Sequence, residues 1–162
     1  MESIQQRLDE LIGEFADLDA REKLELLVDF AHGLPPLSAE HEARKTVEDR
    51  RVHECQTSVF LWTEGTTDAA QLVAEVAAEA PTVKGFVAIL ADAINGRPVA
   101  DVAAISDDML ERMGLADVLG ILRTRGLRAI VARVKRGFAE HANAGPNVGP
   151  NAGPNVGPNA GP

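Results

Sequence analysis

The apolar residues of this 162-residue chain follow a helical period on both sides of one short stretch in which the period drops to two. That switch constrains the fold most, because a stripe repeating every 3.6 residues and one repeating every two need different elements to bury them. Upstream, Ile4, Leu8, Leu11, Ile12 and Phe15 make one helical stripe. Asp19 and Glu22 stand at capping-box spacing ahead of a second helix carrying Leu24, Leu27, Val28 and Ala31. Gly33 stops that helix, and Leu34-Pro35-Pro36-Leu37 leads the chain away in extended form. Within the switch, Val59, Leu61 and Thr63 alternate with Phe60 and Trp62, a β-branched and aromatic strand pattern.

Two neighbouring segments decide the size of the sheet. Thr46, Glu48 and Arg50 alternate with Val47 and Asp49, a weaker strand candidate, and His41 reads as a loop residue. Residues 68–77 suit either a helix, through their alanines, or a strand, through Leu72, Ala74 and Val76. Downstream the helical period returns. Pro81 suits the first turn of a helix bearing Val83, Phe86, Val87, Leu90, Ala91 and Ile94, which Asn95-Gly96 ends. A short turn at Val99–Ala103 and a helix capped by Ser106 or Asp107 follow, then a last helix with Leu127, Ile130, Val131, Val134 and Phe138. The expected fold is α+β: a small antiparallel sheet of about three strands packed against several helices.

Residues 143–162 are five copies of Asn-Ala-Gly-Pro or Asn-Val-Gly-Pro. Proline at every fourth position forbids a regular helix there, so the domain is expected in residues 1–142 and the repeat is expected to be a disordered tail. The N-terminus lacks the basic start and apolar run of a signal peptide, and no stretch approaches the ~20 apolar residues that span a bilayer. A cytoplasmic protein without membrane contact is the expectation. A net charge of −9 argues against a nonspecific nucleic-acid binder, although Arg123, Arg125, Arg128, Arg133, Lys135 and Arg136 make the last helix locally basic.

Several chemistries lack their residues. The chain has no glycine-rich nucleotide loop, no His-Glu-x-x-His and no Gly-x-Ser-x-Gly. His32, His41 and His141 have no partner at metal spacing and read as capping or surface residues, while Asp107-Asp108 read as a helix start. Cys55 stands alone, which excludes an internal disulfide and a cysteine metal cage within one chain. A lone cysteine often packs as a small hydrophobe. Here, however, Arg50, Arg51 and His53 bring positive charge that favours a reactive thiolate, with Glu54 opposing them.

The segment Val52-His53-Glu54-Cys55-Gln56-Thr57-Ser58-Val59-Phe60-Leu61 resembles the cysteine loop of the SufE family, Val-x-Gly-Cys-Gln-Ser-x-Val-Trp. Three more stretches resemble that family in order: Arg21-Glu22-Lys23 through Leu37, Val83 through Leu90, and Arg123-Thr124-Arg125-Gly126-Leu127. Glu54 stands where many members have glycine, Thr57-Ser58 replaces Ser-Gln, and Phe60 replaces tryptophan. The resemblance implies a sulfur carrier without a cofactor of its own, a monomer or weak dimer. Cys55 would accept persulfide sulfur from a SufS-like, pyridoxal-phosphate cysteine desulfurase, stimulate that enzyme, and pass the sulfur to an iron–sulfur scaffold complex. Arg123 would assist the loop or the anionic sulfur, or serve only as a helix-start surface residue. The resemblance also implies a loop that tucks its cysteine away at rest, with Val52 and Val59 flanking it and Phe86 and Leu90 giving cover. The rival readings are a protein-binding adaptor with an inert cysteine, a cluster scaffold, for which one cysteine is too few, and a cysteine hydrolase, for which His53 is poorly placed.

Overall fold

A computed structural model describes residues 2–144. Capping boxes form at both early helices, the expected one at Asp19 and a second at Ser3. Ser3 Oγ accepts from the Gln6 N–H (3.0 Å) and Gln6 Oε1 from the Ser3 N–H (2.8 Å), starting α1 (Ile4–Ala16). Asp19 and Glu22 exchange the same pair of bonds ahead of α2 (Ala20–Ala31). Each box satisfies amide donors that a helix start leaves unpaired. The whole α1 stripe is buried, whereas α2 buries only Leu27 and Ala31 completely.

The next segment departs from the expectation. Ser38 caps a helix, α3 (Ala39–Lys45), so His41 is helical rather than in a loop. The Thr46 hydroxyl donates back to the Ala43 carbonyl (3.0 Å), and Arg44 grips Glu48 one turn on, so Thr46–Arg50 turn instead of extending. Alternation alone missed this, because i,i+4 pairing and a serine cap hold the polar segment in a helix and the turn that follows it. What remains of the upstream strand is a single bridge, Arg51 to Phe60. The sheet therefore has two strands, not three: β1 (Val59–Thr66) and β2 (Ala69–Val76), antiparallel from Val59 opposite Val76 to Thr66 opposite Ala69. The ambiguous alanine-rich segment is thus a strand, fixed by its cross-strand partners rather than by its composition.

The strands' inner face, with Val59, Leu61, Ala70, Leu72, Ala74 and Val76, joins the core. Their outer face is roofed by α3. The His41 ring meets Trp62 edge-on at 5.1 Å, and Lys45 lies 5.5 Å over Phe60 while pairing with Glu75 (2.6 Å). Proline-started α4 (Pro81–Ile94) runs through the centre, buried along most of its length, and touches α1, α2 and β2. At its crossing with α2 a Cβ on Gly85 would lie 1.9 Å from the Leu27 carbonyl oxygen, so only glycine lets these helices approach so closely.

After a 3-10 turn at Val99–Ala104 come α5 (Met109–Met113), α6 (Ala116–Leu119) and α7 (Ile121–Ala144). The N-cap of α5 is Asp108, not Ser106 or Asp107, and its side chain makes no capping bond. Instead the Ser106 hydroxyl donates to the Asp108 carboxylate, and Asp107 pairs with Lys135 (3.1 Å). The stripe of α7 is buried as its spacing predicts, from Leu127 to Phe138. This helix reaches two residues into the Asn-x-Gly-Pro repeat; the expected disordered tail otherwise lies outside the described residues. The fold is α+β, with the sheet packed among helices and α7 crossing beside β1. Among the described residues no helix is long and apolar enough to cross a membrane.

Candidate functional site

Cys55 sits in the connection between α3 and β1, and both ends of that connection are pinned. On one side the Val52 N–H donates to the Val59 carbonyl (2.8 Å) and the Leu61 N–H to the Arg50 carbonyl (3.0 Å). On the other, the Ala77 N–H donates to the Ser58 carbonyl (2.9 Å). Between these stems the Cys55 N–H closes a turn onto the Val52 carbonyl (3.2 Å). No non-glycine among the described residues has a positive φ, so Glu54 occupies the usual glycine position without left-handed strain. The chain alternates inward and outward here. Val52, Cys55 and Val59 are buried, whereas His53, Glu54 and Gln56 face solvent.

Cys55 is 5% exposed, and its sulfur packs against α7 at Gly126. A Cβ built on Gly126 would lie 3.1 Å from Cys55 Sγ and 3.7 Å from its Cα and Cβ. Beside this contact a cavity of about 390 Å³ opens to the surface. The loop contributes Arg51, Cys55 and Gln56 through Ser58; the link from β2 to α4 contributes Ala77, Glu79 and Ala80; α4 contributes Val83; α7 contributes Leu122 and Arg123. Arg123 precedes Gly126 by three residues, so both lie on one face of α7, and Arg123 Nη1 donates to Thr82 Oγ1 (3.4 Å). The sequence pattern Arg-x-x-Gly thereby becomes a geometric unit, with a guanidinium at the cavity and a gap for the sulfur one turn further on.

The charges that flank Cys55 in sequence do not all face it. Arg50 turns to Glu48 (3.2 Å), and exposed His53 pairs with Asp49 (2.8 Å), whose carboxyl is held below its usual value chiefly by that bond. Of the three, Arg51 alone lines the cavity with the thiol. Glu48 ties the upstream stem together. It accepts from Arg44 Nε (2.9 Å), Trp62 Nε1 (3.0 Å) and Arg50 Nε (3.2 Å), and its carboxyl is pushed down to about 2, first by the Arg44 bond.

A wider imbalance surrounds the site. Cations elsewhere are matched with carboxylates, as in Arg7 with Asp92, Arg97 with Glu2, Arg112 with Asp9 and Arg128 with Glu111. Apart from Lys23 and Lys84, the cations without a carboxylate partner among the described residues are Arg51, Arg123, Arg125, Arg133 and Arg136, all on α7 or the loop stem. Arg133 donates to the Arg51 carbonyl (3.3 Å), joining helix and stem. Two of these arginines, Arg51 and Arg123, line the cavity beside Cys55, and the others continue along α7.

The sequence model of the family described as "SufE: Fe-S metabolism associated domain" matches residues 9–138. The chain belongs to the SufE family. SufE-like proteins from two strains of Mycobacterium tuberculosis are 38% identical to it over 134 residues, which cover 82% of this chain and 92% of theirs. A SufE-like protein of Rhizobium meliloti is 31% identical over 132 residues, 79% of this chain and 91% of its own. The solution structure of a hypothetical protein from Thermus thermophilus superposes with a TM-score of 0.72 at 27% identity, covering 88% of this chain and 99% of that one. The family ties the chain to iron–sulfur metabolism.

Both site residues expected from the SufE resemblance, Cys55 and Arg123, line the same cavity. The cover of the thiol differs in detail from the expectation, since the Cys55 Sγ packs against Gly126 of α7, and Val83 rather than Phe86 or Leu90 lines the cavity from α4. Sequence reasoning quoted Gly126 within a motif but gave it no role, and it passed over Glu48. Gly126 carried a signal, a glycine inside a helical stripe; for Glu48 only the i,i+4 spacing to Arg44 was visible, because the Trp62 contact comes from β1.

Proposed function

We propose that this SufE-family chain carries sulfur as a persulfide on Cys55, taking it from a SufS-like cysteine desulfurase and passing it to an iron–sulfur scaffold complex. The carrying observation is a lone thiol on a short pinned loop that borders a cavity holding two arginines, Arg51 and Arg123, and one carboxylate, Glu79. The family's link to iron–sulfur metabolism supports the reading. In the transfer, the Cys55 thiolate attacks the terminal sulfur of the desulfurase persulfide. The new S–S bond forms on Cys55, the old one breaks, and the desulfurase cysteine leaves as thiolate, so no external oxidant or reductant is needed. Pyridoxal phosphate stays on the desulfurase, and the exchange takes place in the cytoplasm. Arg51 and Arg123 offer positive charge where the transferring sulfur carries negative charge. Releasing the desulfurase thiolate frees that enzyme for another turnover, which makes the carrier an activator.

The near-complete burial of Cys55 also suits a second reading, an adaptor of the same fold with an inert cysteine. One experiment separates them. The protein is incubated with a SufS-like desulfurase and free cysteine, and its intact mass is measured. The relay gives a desulfurase-dependent gain of one or more sulfur atoms on the wild type and none on Cys55→Ser. A wild-type mass that does not change favours the adaptor.

A further inference from the structure

Gly126 lies inside α7, where glycine is the poorest helix former after proline. It is absent from the glycines of positive φ, so backbone conformation does not call for it. Space does. The three heavy atoms nearest to the methyl that glycine lacks, at 3.1, 3.7 and 3.7 Å, all belong to Cys55. The first distance is inside the roughly 3.5–4.0 Å at which nonbonded heavy atoms rest; the other two are ordinary contacts. The gap on α7 is therefore shaped by one residue, and within it by one atom, the sulfur.

We propose that Gly126 is the seat of the Cys55 thiol, a positioning residue whose missing side chain lets the cysteine loop close and so sets how rarely the thiol opens to solvent. The purpose assigned to the seat, holding a sulfur carrier in reserve until a partner draws it out, rests on the relay proposed above. The closing itself rests on geometry alone. A methyl at Gly126 strains only the closed loop. Because His53, Glu54 and Gln56 are already exposed, the loop relieves that strain by lifting Cys55 outward between its pinned stems.

The test measures alkylation of Cys55 by iodoacetamide under native conditions in wild type and Gly126→Ala, with thermal unfolding of the same pair in a Cys55→Ala background. Gly126→Ala is expected to speed alkylation roughly tenfold, the effect of one overpacked methyl on a local opening equilibrium. In the Cys55→Ala background, where the short contact is gone, the same substitution is expected to raise the unfolding temperature by a few degrees through helix propensity; with Cys55 present that gain is expected to vanish. Unchanged alkylation, or an equal shift of unfolding temperature in both backgrounds, overturns the seat. So does failure to fold in both, because Gly126 would then serve the helix rather than the thiol. Neither readout involves a desulfurase, so a missing sulfur gain in the mass experiment strikes the relay and leaves the seat standing.

Discussion

At Cys55 a serine keeps the shape of the side chain but cannot hold a persulfide. The hydroxyl enters a buried position, which costs about 1 kcal/mol, a figure kept low because the loop can turn it toward water. Cys55→Ser is therefore expected to unfold within a few degrees of wild type while accepting no sulfur. A desulfurase-dependent mass gain on that variant would remove Cys55 from the relay. Glu48, seven residues upstream, acts through stability instead. Its folded carboxyl lies near 2 against an ordinary 4.5, so its contribution is fully present above about pH 4.5 and is lost as the pH falls toward 2. Glu48→Gln should lower stability at neutral pH by roughly 1–2 kcal/mol, allowing for partial exposure. The gap between the two unfolding temperatures should narrow steadily as acid is added. A gap that stays constant down to pH 2 would show that the carboxylate charge holds nothing together.

Among elements, α7 faces the cysteine loop across the site, and legibility in the sequence was uneven for a physical reason. Its apolar stripe could be read because burial along a helix repeats every 3.6 residues, and the same held for α1 and α4. The cysteine loop could be read because its residues are contiguous. The upstream strand candidate failed because Thr46–Arg50 alternates only by accident of polar residues that serve a helix cap and an Arg44–Glu48 pair. Contacts between distant segments left little local trace: Gly126 showed as a glycine inside a helix but not what it touches, and Arg133 on the Arg51 carbonyl showed nothing. The shared cavity gives α7 a second test. Arg123 is exposed and held by one long bond to Thr82, so its removal should disturb packing little. Arg123→Ala is expected to slow sulfur acceptance about tenfold, the scale of one charge-assisted hydrogen bond, with Arg123→Lys recovering part of the rate. Iodoacetamide alkylation of the free protein should stay unchanged. Parallel losses in both rates would make Arg123 a prop for the loop rather than a partner of the sulfur.

The molecule as a whole carries a charge of −9, yet among the described residues Arg51 on the cysteine-loop stem and Arg123, Arg125, Arg133 and Arg136 along α7 have no carboxylate partner. A run of unpaired arginines raises the local potential against the net charge, and such a patch orients an approaching protein before any contact forms. A desulfurase presenting acidic side chains around its persulfide would be drawn to this patch and turned away by the rest. Arg125 and Arg136 suit the test, since both are exposed and neither lines the cysteine cavity. The double variant Arg125→Glu, Arg136→Glu is expected to raise the KM for the carrier in desulfurase stimulation by roughly three- to tenfold at low salt, leaving kcat near wild type. Raising the salt should weaken wild type toward the variant, because a Debye length of about 3 Å at 1 M screens exposed charges. If the wild-type KM ignores salt, steering by this patch plays no part in the encounter. If kcat falls with KM unchanged, the arginines act on transfer after docking rather than on approach.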